Sequence, residues 1–416
     1  MLDRKLRIVM ISNLCPPDYE GGLEMSAFQM ANALRERGHD VHFLTSEFRP
    51  TYKGEKKDPP WVHRILGYVE RGESGPQKIA RFLAAMPQSL ENAKRVEEFL
   101  KGKSFNLGYL FGLHRIGLAT HVPLVDAGIP VMWHCGDLFM PRQLKIWPRK
   151  MPPYNWLLNS VYRKARQMEL RGDYRNIAFV SGMLRQQYLD AGMTPENTFV
   201  ISRGIDFPLG EDVQRSRTKP AVIFMAGRVE EQKGFTVALE ALSLLHKRNP
   251  ALEWHLHIAG YTWPEYLAKL KTIASQGGIE SRVKFLGMLN RKEVLQEIRD
   301  ATIFLNAPVW EEPFGRTNIE AMASGTPLVA SETGAIREIV ADTNCALLYP
   351  RSDPQALSEA LEKMLQSDDM RTDFAHRGLE RVKSTYTIER ILDMTEDAFE
   401  TVMSGRISKE AVCASV

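Results

Sequence analysis

The residues best suited to carry out chemistry lie in one stretch, Glu312-Pro-Phe-Gly-Arg-Thr-Asn-Ile-Glu320. An apolar run that ends at Asn306 predicts a buried parallel strand before it, and the pattern after it predicts a helix from about Gly315. The helix would start at the carboxyl end of a strand, where open α/β sheets bind ligands. Its first N–H groups, at Gly315 to Thr317, can hold a phosphate oxygen with the help of the helix dipole.

Two acidic side chains, Glu312 and Glu320, flank this predicted phosphate site. A carboxylate cannot bind phosphate, but it accepts hydrogen bonds from hydroxyl groups. A nucleotide-diphosphate sugar carries hydroxyls on both sides of its diphosphate, on a sugar and on a ribose. The alternative is that both acids are solvated residues of a helix surface, the commonest environment of glutamate.

The segment EPFGRTNIEAMASGTPLVA, continuing through Ser331 to Val340, closely resembles the signature of retaining glycosyltransferases of the GT-B fold, glycosyltransferase family 4. The resemblance implies an α/β fold of two Rossmann-like domains whose parallel sheets face each other across a cleft. It implies that Glu312 orients the hydroxyls of the transferred sugar and that Glu320 contacts the ribose. Further donor contacts are implied for Phe314, Gly315, Arg316, Thr317 and Gly334.

A second candidate loop, Gly227-Arg-Val-Glu-Glu-Gln-Lys-Gly234, follows a predicted strand and precedes a predicted helix. It lacks the ending of a Walker A loop. Arg228 can bind a phosphate in bidentate fashion and Lys233 adds a point charge, so both could stabilise a leaving diphosphate. The alternative is surface charge that serves solubility. The segment matches the Arg-x4-Lys-Gly pattern of the resembled family, which favours diphosphate binding.

Paired glycines, Gly21 and Gly22, stand just before a helix that is predicted from Leu23 to Arg37. Glycine lets a backbone approach a ligand closely, although a flexible turn would use the same residues. The absence of a GxGxxG motif argues against a nicotinamide-binding domain. In the resembled family the matching loop closes over the donor diphosphate.

His134 ends a predicted strand, Pro130-Val-Met-Trp-His134, and therefore lies on the ligand side of a sheet. A lone histidine is more often structural, but the resemblance implies contact with the transferred sugar and the reaction centre. His255 and His257 share one face of another strand and could bind zinc, yet no third ligand is near. We predict no metal site and no cofactor apart from the nucleotide sugar, which is a co-substrate.

The segment from Arg142 to Arg175 carries nine basic residues with interleaved aromatic residues. This mixture suits an anionic membrane surface, an anionic acceptor, or simply a solvated helix face. The net charge of +3 is too small to indicate nucleic-acid binding. The four cysteines form no CxxC pair, and no apolar run is long enough for a signal peptide core or a membrane span. We predict a cytoplasmic protein, with peripheral contact at the inner membrane face as an open alternative.

The strands and helices that position these residues alternate along 416 residues, which is enough for two domains. We predict an acceptor-side domain at 1–205 and a donor-binding domain at 206–386. The C-terminal helix, about 387–416, is expected to pack on the first domain. Residues 207–219 are the predicted linker, and the polar segment 49–75 is predicted to be a loop on the acceptor side.

The resemblance implies a retaining, metal-independent hexosyltransferase that uses a UDP- or GDP-sugar and an unidentified sugar, lipid-linked or small-molecule acceptor. One alternative is a nucleotide-sugar epimerase or phosphorylase on the same scaffold; an epimerase would change the donor without an acceptor. Another is a non-catalytic nucleotide-binding subunit, which would usually have lost the motif cations and acids. All of these residues are present here. The base, the sugar and the acceptor are not specified by the sequence.

Overall fold

Two α/β units make up the chain in the computed structural model, which describes residues 5–19, 21–49, 58–70, 75–146, 156–210 and 220–406. Within these ranges only the backbone is described for 75–83, 145–146, 156–159 and 162. The first unit contains the chain up to Ser202 and from Ile391 onward, and the second is Arg203–Arg390. The first boundary, after Ser202, lies three residues before the one predicted from the sequence. The second boundary, after Arg390, lies four residues after the predicted one.

The first unit alternates strands and helices. Its strands are β1 (Arg7–Ser12), β2 (Asp40–Ser46), β3 (Val62–Leu66), β4 (Leu107–Phe111), β5 (Val131–Cys135), β6 (Asn176–Phe179) and β7 (Asn197–Val200). Its helices are α1 (Gly22–Glu36), α2 (Gly75–Leu100), α3 (Val122–Asp126), α4 (Phe139–Ile146), α5 (Trp156–Leu170) and α6 (Gly182–Asp190).

The second unit has the same alternation. Its strands are β8 (Ala221–Ala226), β9 (Trp254–Ala259), β10 (Val283–Gly287), β11 (Ile303–Asn306), β12 (Leu328–Ser331) and β13 (Ala346–Tyr349). Its helices are α7 (Phe235–Arg248), α8 (Pro264–Gln276), α9 (Arg291–Asp300), α10 (Arg316–Ala323), α11 (Ile336–Val340), α12 (Pro354–Gln366) and α13 (Asp368–Thr385). A last helix, α14 (Ile388–Ser404), begins in the second unit and continues in the first.

Both sheets are parallel throughout, in the order β3-β2-β1-β4-β5-β6-β7 and β10-β9-β8-β11-β12-β13. The prediction of two α/β domains with parallel sheets is thus confirmed. The strand order reverses between β1 and β4 in the first unit and between β8 and β11 in the second. Such switch points open a crevice beyond the carboxyl ends of the strands, so they locate the candidate sites.

The hydrophobic core of the second unit explains why β8 and β11 are central. Ile223 of β8 and Ile303 of β11 are fully buried and paired in register, and Leu239 of α7 is buried in the same cluster. Burial of each such side chain contributes roughly 1.5–3 kcal/mol relative to exposure. The loops that follow these two strands therefore start from fully buried strands at the centre of the sheet.

Strand β3 corrects the prediction that residues 49–75 form a loop. Val62 pairs with Phe43 of β2, and Val62 and Leu66 are buried. His63 and Arg64 interrupt the apolar pattern, which hides the strand in the sequence. Much of the remaining predicted loop, like residues 211–219 of the predicted linker, lies outside the described residues.

Helix α14 packs within the first unit through both apolar and charged contacts. Phe399 meets Tyr109 edge to face at 5.1 Å between ring centroids. Glu396, 3% exposed, accepts from Arg37 at 2.9 Å and lies 3.1 Å from His39 Nε2. None of the described helices is long and apolar enough to cross a membrane.

Candidate functional site

The switch point of the second unit brings Lys233 and Glu312 together. Lys233 lies in the loop after β8 (residues 227–234, the β8 loop) and Glu312 in the loop after β11 (residues 307–315, the β11 loop). Lys233 Nζ is 2.5 Å from Glu312 Oε2, and the Trp310 indole N–H donates to the same oxygen at 3.1 Å. Lys233 Nζ also lies 5.7 Å from the centroid of the Trp310 ring. One cation, one carboxylate and one aromatic ring thus form a single cluster.

Two glycines let the loops approach closely enough for this cluster to form. Gly234 has φ 71°, and a Cβ there would lie 1.7 Å from the Ala307 carbonyl oxygen. Gly334, in the loop after β12, has φ 64°, and a Cβ there would lie 2.2 Å from the Glu312 carbonyl oxygen. The Ala335 amide donates to that same carbonyl at 3.0 Å. The backbone of Glu312 is therefore fixed by the neighbouring loop.

The Gly334 amide has a hydrogen-bond partner within the structure. It donates to Glu311 Oε2 at 2.9 Å, and Arg351 Nη1 donates to the other oxygen of Glu311 at 2.7 Å. The need for glycine at this position is explained by the Glu312 backbone alone. Whether Gly334 also contacts a donor stays a prediction.

Gly315 is the N-cap residue of α10 and has the left-handed conformation, with φ 78° and ψ 62°, and no side chain caps the helix. The first N–H groups of a helix have no partner within it, and the dipole favours an anion there. Glu312 precedes this helix start by three residues, as the sequence indicated. Phe314 is buried, and its ring centroid lies 5.9 Å from that of Tyr386. Thr317, in the first turn, is half-buried.

Glu320 is buried, 4% exposed, within a neutral quartet of charges. Its Oε1 accepts from Arg316 Nε at 2.9 Å and from Arg291 Nη1 at 2.7 Å. Asp206 Oδ1 accepts from Arg291 Nη2 at 3.0 Å and lies 3.8 Å from Arg316 Nη2. Glu312 keeps only 16% of its side chain exposed. The alternative that both glutamates are solvated surface residues is therefore wrong.

Burial and neighbouring charge act in opposite directions on the two arginines of this quartet. Burial lowers the pKa of Arg316, and Glu320 only partly offsets it. Burial also acts to lower the pKa of Arg291, but Glu320 and Asp206 outweigh burial and raise it above its usual value. Arg291 is thus the more firmly charged partner of Glu320.

Arg228 has a different carboxylate partner from Lys233. Its side chain is 45% exposed, and Nη2 lies 3.1 Å from Glu230 Oε1. The sequence places Arg228 and Lys233 in one phosphate-binding loop, and the structure gives each a carboxylate partner. An incoming diphosphate would compete with Glu230 and Glu312 for these two cations.

His134 of the first unit is buried, 3% exposed, at the carboxyl end of β5. Its Nδ1 lies 2.6 Å from the Tyr109 hydroxyl, and its ring stacks on Phe111 at 4.8 Å. Burial raises the pKa of Tyr109 far above its usual value, so this hydroxyl stays protonated. The neighbours fix the orientation of the imidazole, a property that both a structural and a catalytic histidine require.

Gly21 and Gly22 have no packing reason to be glycine in the described structure. Gly21 is extended, with φ −166°, and its amide donates to Glu24 Oε2 at 3.2 Å. A Cβ at Gly21 would come no closer than 3.9 Å to another atom, and one at Gly22 would meet nothing within 4 Å. Close approach of a ligand and a flexible turn are both compatible with these two glycines.

One of the two histidines that suggested zinc, His257, has a carboxylate partner. His257 Nδ1 lies 3.2 Å from Glu297 Oε2. Among the described residues, no group of three or more His, Cys, Asp or Glu side chains could hold a metal ion.

Sequence reasoning missed Trp310, Arg291 and Asp206 as parts of these clusters. Arg291 lies 29 residues from Glu320 and 85 residues from Asp206 in the chain. Trp310 carried a local signal, because it stands two residues before Glu312 in the same loop. The contacts of Arg291 carried no sequence signal, because only the folded chain brings the start of α9 beside α10.

Comparison with known proteins accounts for nearly the whole chain. The family described as Glycosyltransferase Family 4 matches residues 20–207, and the one described as Glycosyl transferases group 1 matches residues 209–381. The chain belongs to family 4 of the glycosyltransferases. The family proposed from the sequence is confirmed, and this glycosyltransferase is an enzyme of the transferase class.

Full-length relatives support this membership. A phosphatidyl-myo-inositol mannosyltransferase of Mycobacterium leprae is 28% identical over 407 residues, covering 95% of this chain and 97% of the relative. A mannosylfructose-phosphate synthase of Agrobacterium fabrum is 27% identical over 393 residues, covering 88% of this chain and 83% of the relative. The glycosyltransferase therefore matches its relatives across both units.

Solved structures establish the fold. A sucrose-phosphate synthase from Thermosynechococcus elongatus has a TM-score of 0.71 and 17% identity, covering 96% of this chain and 100% of that one. The Anabaena protein HepE, solved with UDP and glucose, has a TM-score of 0.67 and 18% identity, covering 95% and 100%. At these identities the likeness concerns the fold, which is the two-domain GT-B fold.

Proposed function

We propose that this glycosyltransferase moves a hexosyl unit from a UDP- or GDP-sugar to a hydroxyl acceptor, with retention of anomeric configuration. The observation that carries the proposal is the contact of Lys233 with Glu312 at the switch point of the second sheet. This contact supports the proposal because an ammonium group that could bind phosphate meets a carboxylate that could accept from sugar hydroxyls, and α10 starts without a side-chain cap. Structural neighbours solved with UDP and UDP-glucose are consistent with such a donor.

Binding of the donor would proceed by exchange of ion-pair partners. The diphosphate would take the place of Glu312 at Lys233, and it would draw Arg228 from Glu230. Glu312, released from the ammonium, would then accept hydrogen bonds from the sugar hydroxyls. Because the cations and the helix start are already fixed by the fold, they would stabilise the charge that grows on the leaving diphosphate.

The other proposed contacts belong to the two ends of the donor. Glu320 would accept hydrogen bonds from the ribose, and amides near Gly315 would bind phosphate oxygens. From the first unit, His134 would contact the sugar and the Gly21-Gly22 backbone would approach the diphosphate. This arrangement requires no metal ion, because Lys233, Arg228 and the helix dipole supply the positive charge.

The acceptor proposed is a polyol hydroxyl, either of a small phosphorylated molecule or of a lipid-linked precursor. Relatives named for phosphatidyl-myo-inositol, for D-inositol 3-phosphate and for mannosylfructose phosphate motivate this choice. Candidate acceptors can therefore be screened as two series, with and without the phosphate and the lipid.

Ligand-induced stabilisation tests the donor first. UDP-, GDP-, ADP- and TDP-sugars are compared by thermal shift, and one nucleotide class should raise Tm by mass action, with about 2.7 kcal/mol of stabilisation at a hundredfold excess over Kd. A mixture with the preferred donor and each acceptor is then analysed by NMR for an axial or equatorial linkage. EDTA should leave the rate unchanged. No shift with any donor, or inversion of configuration, would contradict the proposal.

Peripheral membrane contact through residues 142–175 is proposed as a secondary property. Its middle, including Trp147, Arg149, Lys150 and Tyr154, lies outside the described residues. In the described part, exposed cations on α4 and α5 include Arg142, Arg163 and Lys164. Sedimentation with anionic vesicles should show binding at low salt that is lost at high salt. Absence of binding at low salt would remove the proposal.

A further inference from the structure

The two carboxylate oxygens of Glu320 differ in their hydrogen bonds within the quartet. Oε1 accepts from two guanidinium groups, at 2.7 Å from Arg291 and 2.9 Å from Arg316. Among the residues that the structure describes, no donor lies within hydrogen-bond distance of Oε2. A carboxylate held by one oxygen presents the other in a fixed direction.

Arg291 and Arg316 hold this carboxylate in different ways. Arg316 precedes Glu320 by four residues on the same helix, so their contact is a local one. Arg291 begins α9, and its other nitrogen is bound by Asp206 at 3.0 Å. Its guanidinium also lies 5.9 Å from the centroid of the Phe207 ring. Arg291 thus ties Glu320 to a separate part of the second unit.

We propose that Arg291, anchored by Asp206, is a positioning residue that directs the free oxygen of Glu320 to a ribose hydroxyl of the donor. The proposal rests on the proposed function and adds a source of specificity to it. Occupation of Oε1 by Arg291 and Arg316 leaves one oxygen for the nucleotide. A ribonucleotide would offer that oxygen a hydroxyl, and a deoxyribonucleotide would cover it without offering a donor.

This arrangement makes discrimination between ribose and deoxyribose the measurable property. A hydrogen bond to a charged group contributes roughly 1.5–3 kcal/mol, which is about a 10- to 100-fold difference in Kd. The wild-type protein should therefore bind UDP or GDP that much more tightly than its 2′-deoxy or 3′-deoxy analogue. Without Arg291 the carboxylate turns more freely, and this preference should fall.

The experiment measures Kd by calorimetry for UDP, GDP and their 2′- and 3′-deoxy analogues. The variants are Arg291→Met, Glu320→Gln and the double variant, with Lys292→Met as the matched control. Lys292 is the next residue of α9, is exposed, and has the same charge. Arg291→Met should reduce the ribose preference to within about threefold, and the double variant should show no larger loss than Glu320→Gln alone. Lys292→Met should keep the wild-type preference.

A second variant covers the case in which Arg291→Met does not fold. Asp206→Asn removes the negative charge that anchors Arg291 and that also lies 3.8 Å from Arg316, at a side chain that is 37% exposed. It should lower the ribose preference by a smaller factor, and Arg291→Lys should not restore it, because lysine cannot bind Asp206 and Glu320 with separate nitrogens of one planar group.

The outcomes separate the inference from the proposed function. Equal weakening of ribo- and deoxyribonucleotides by Arg291→Met would overturn the inference, because it would mean that Arg291 binds phosphate or only supports the fold. An unchanged preference would also overturn it. If the wild-type protein binds no nucleoside diphosphate at all, the proposed function fails and this inference fails with it.

Discussion

The two switch points of the molecule use glycine for different reasons. In the second unit, Gly234 and Gly334 have positive φ values and lie against backbone atoms of the β11 loop. In the first unit, Gly21 is extended and neither it nor Gly22 has a close neighbour. Backbone contacts of the fold explain the first pair, and they do not explain the second. Close approach of a ligand, as proposed above, would account for the second pair.

The polar residues differ in the same way between the units. In the second unit, Lys233 and Glu312 form an ion pair that a donor would have to open. In the first unit, His134 is held by Tyr109 and Phe111, and neither neighbour is charged. The second unit therefore contains an ion pair that would open when a donor binds. The first contains an imidazole held by uncharged neighbours. Substitutions that separate stability from activity can test this contrast.

The largest effect is expected for Gly234→Ala. The left-handed conformation and the overlap with Ala307 together should lower the free energy of unfolding by about 3–5 kcal/mol, as measured by urea denaturation. Gly278→Ala is the matched control, since Gly278 has φ 72° with nothing within 4 Å of a Cβ. It should cost only about 1 kcal/mol. Equal losses would show that loop contact is not what requires Gly234.

The next effect should appear in activity rather than stability. Lys233→Ala should lower kcat/KM. The decrease should correspond to a loss of about 2–4 kcal/mol of transition-state stabilisation, comparable to removal of an oxyanion donor. Lys269→Ala is the control, because Lys269 forms an exposed pair with Glu231 at 2.9 Å in the same unit. It should leave the rate unchanged. Unchanged turnover in Lys233→Ala would contradict the assigned role.

Two buried carboxylates, Glu320 of the second unit and Glu169 of the first, extend the comparison. Glu320 accepts two hydrogen bonds, from Arg291 and Arg316. Glu169 is fully buried, and Arg166 Nη1 lies 3.7 Å from its Oε2. Burial raises the pKa of Glu169 from 4.5 to about 7, and Arg166 only partly offsets it. The folded state therefore binds this proton more tightly than the unfolded state.

The raised pKa of Glu169 makes the free energy of unfolding depend on pH. The stability contributed by protonated Glu169 is complete below pH 4.5 and is lost as the pH rises toward about 7. The change should be as much as about 3 kcal/mol, at 1.36 kcal/mol per pKa unit. Glu169→Gln should remove this component from urea denaturation series between pH 4.5 and 7.5. Glu98→Gln, at an exposed position of α2, should retain it; the same pH profile in both variants would contradict the assignment.

Gly22→Ala should cause the smallest change in stability. It should raise the stability of the protein and lower its activity. Because Gly22 begins α1 in open space, alanine should stabilise the fold by about 0.5 kcal/mol. Activity should nevertheless fall about tenfold if the backbone must approach the diphosphate closely. Thermal denaturation and kcat/KM of the same preparation measure both. Full activity in this variant would remove the ligand explanation for the glycine pair.

Much of the fold could be predicted because its elements carry local signals. Strand β9 and helix α12 illustrate this, since apolar alternation marks the strand and an initial proline, Pro354, marks the start of the helix. Strand β3 could not be found in this way. His63 and Arg64 break its pattern, and only pairing with β2 makes it a strand.

The candidate site, like the fold, could be predicted from local sequence signals only in part. Glu312, Lys233 and Gly315 could be identified because each belongs to a contiguous motif. The sequence could not show that Lys233 touches Glu312, which is 79 residues away, or that Glu320 is held by Arg291 from another helix. It also could not separate glycines required by backbone contact from glycines left free for a ligand. Those distinctions depend on which strands lie side by side.

A crystal structure of the protein with bound UDP or GDP tests the central claim most directly. The account predicts that a β-phosphate oxygen replaces Glu312 Oε2 at Lys233 Nζ, at a charge-assisted distance of about 2.7–2.9 Å, with the diphosphate at the start of α10. A diphosphate bound elsewhere, with Lys233 and Glu312 still paired, would contradict it.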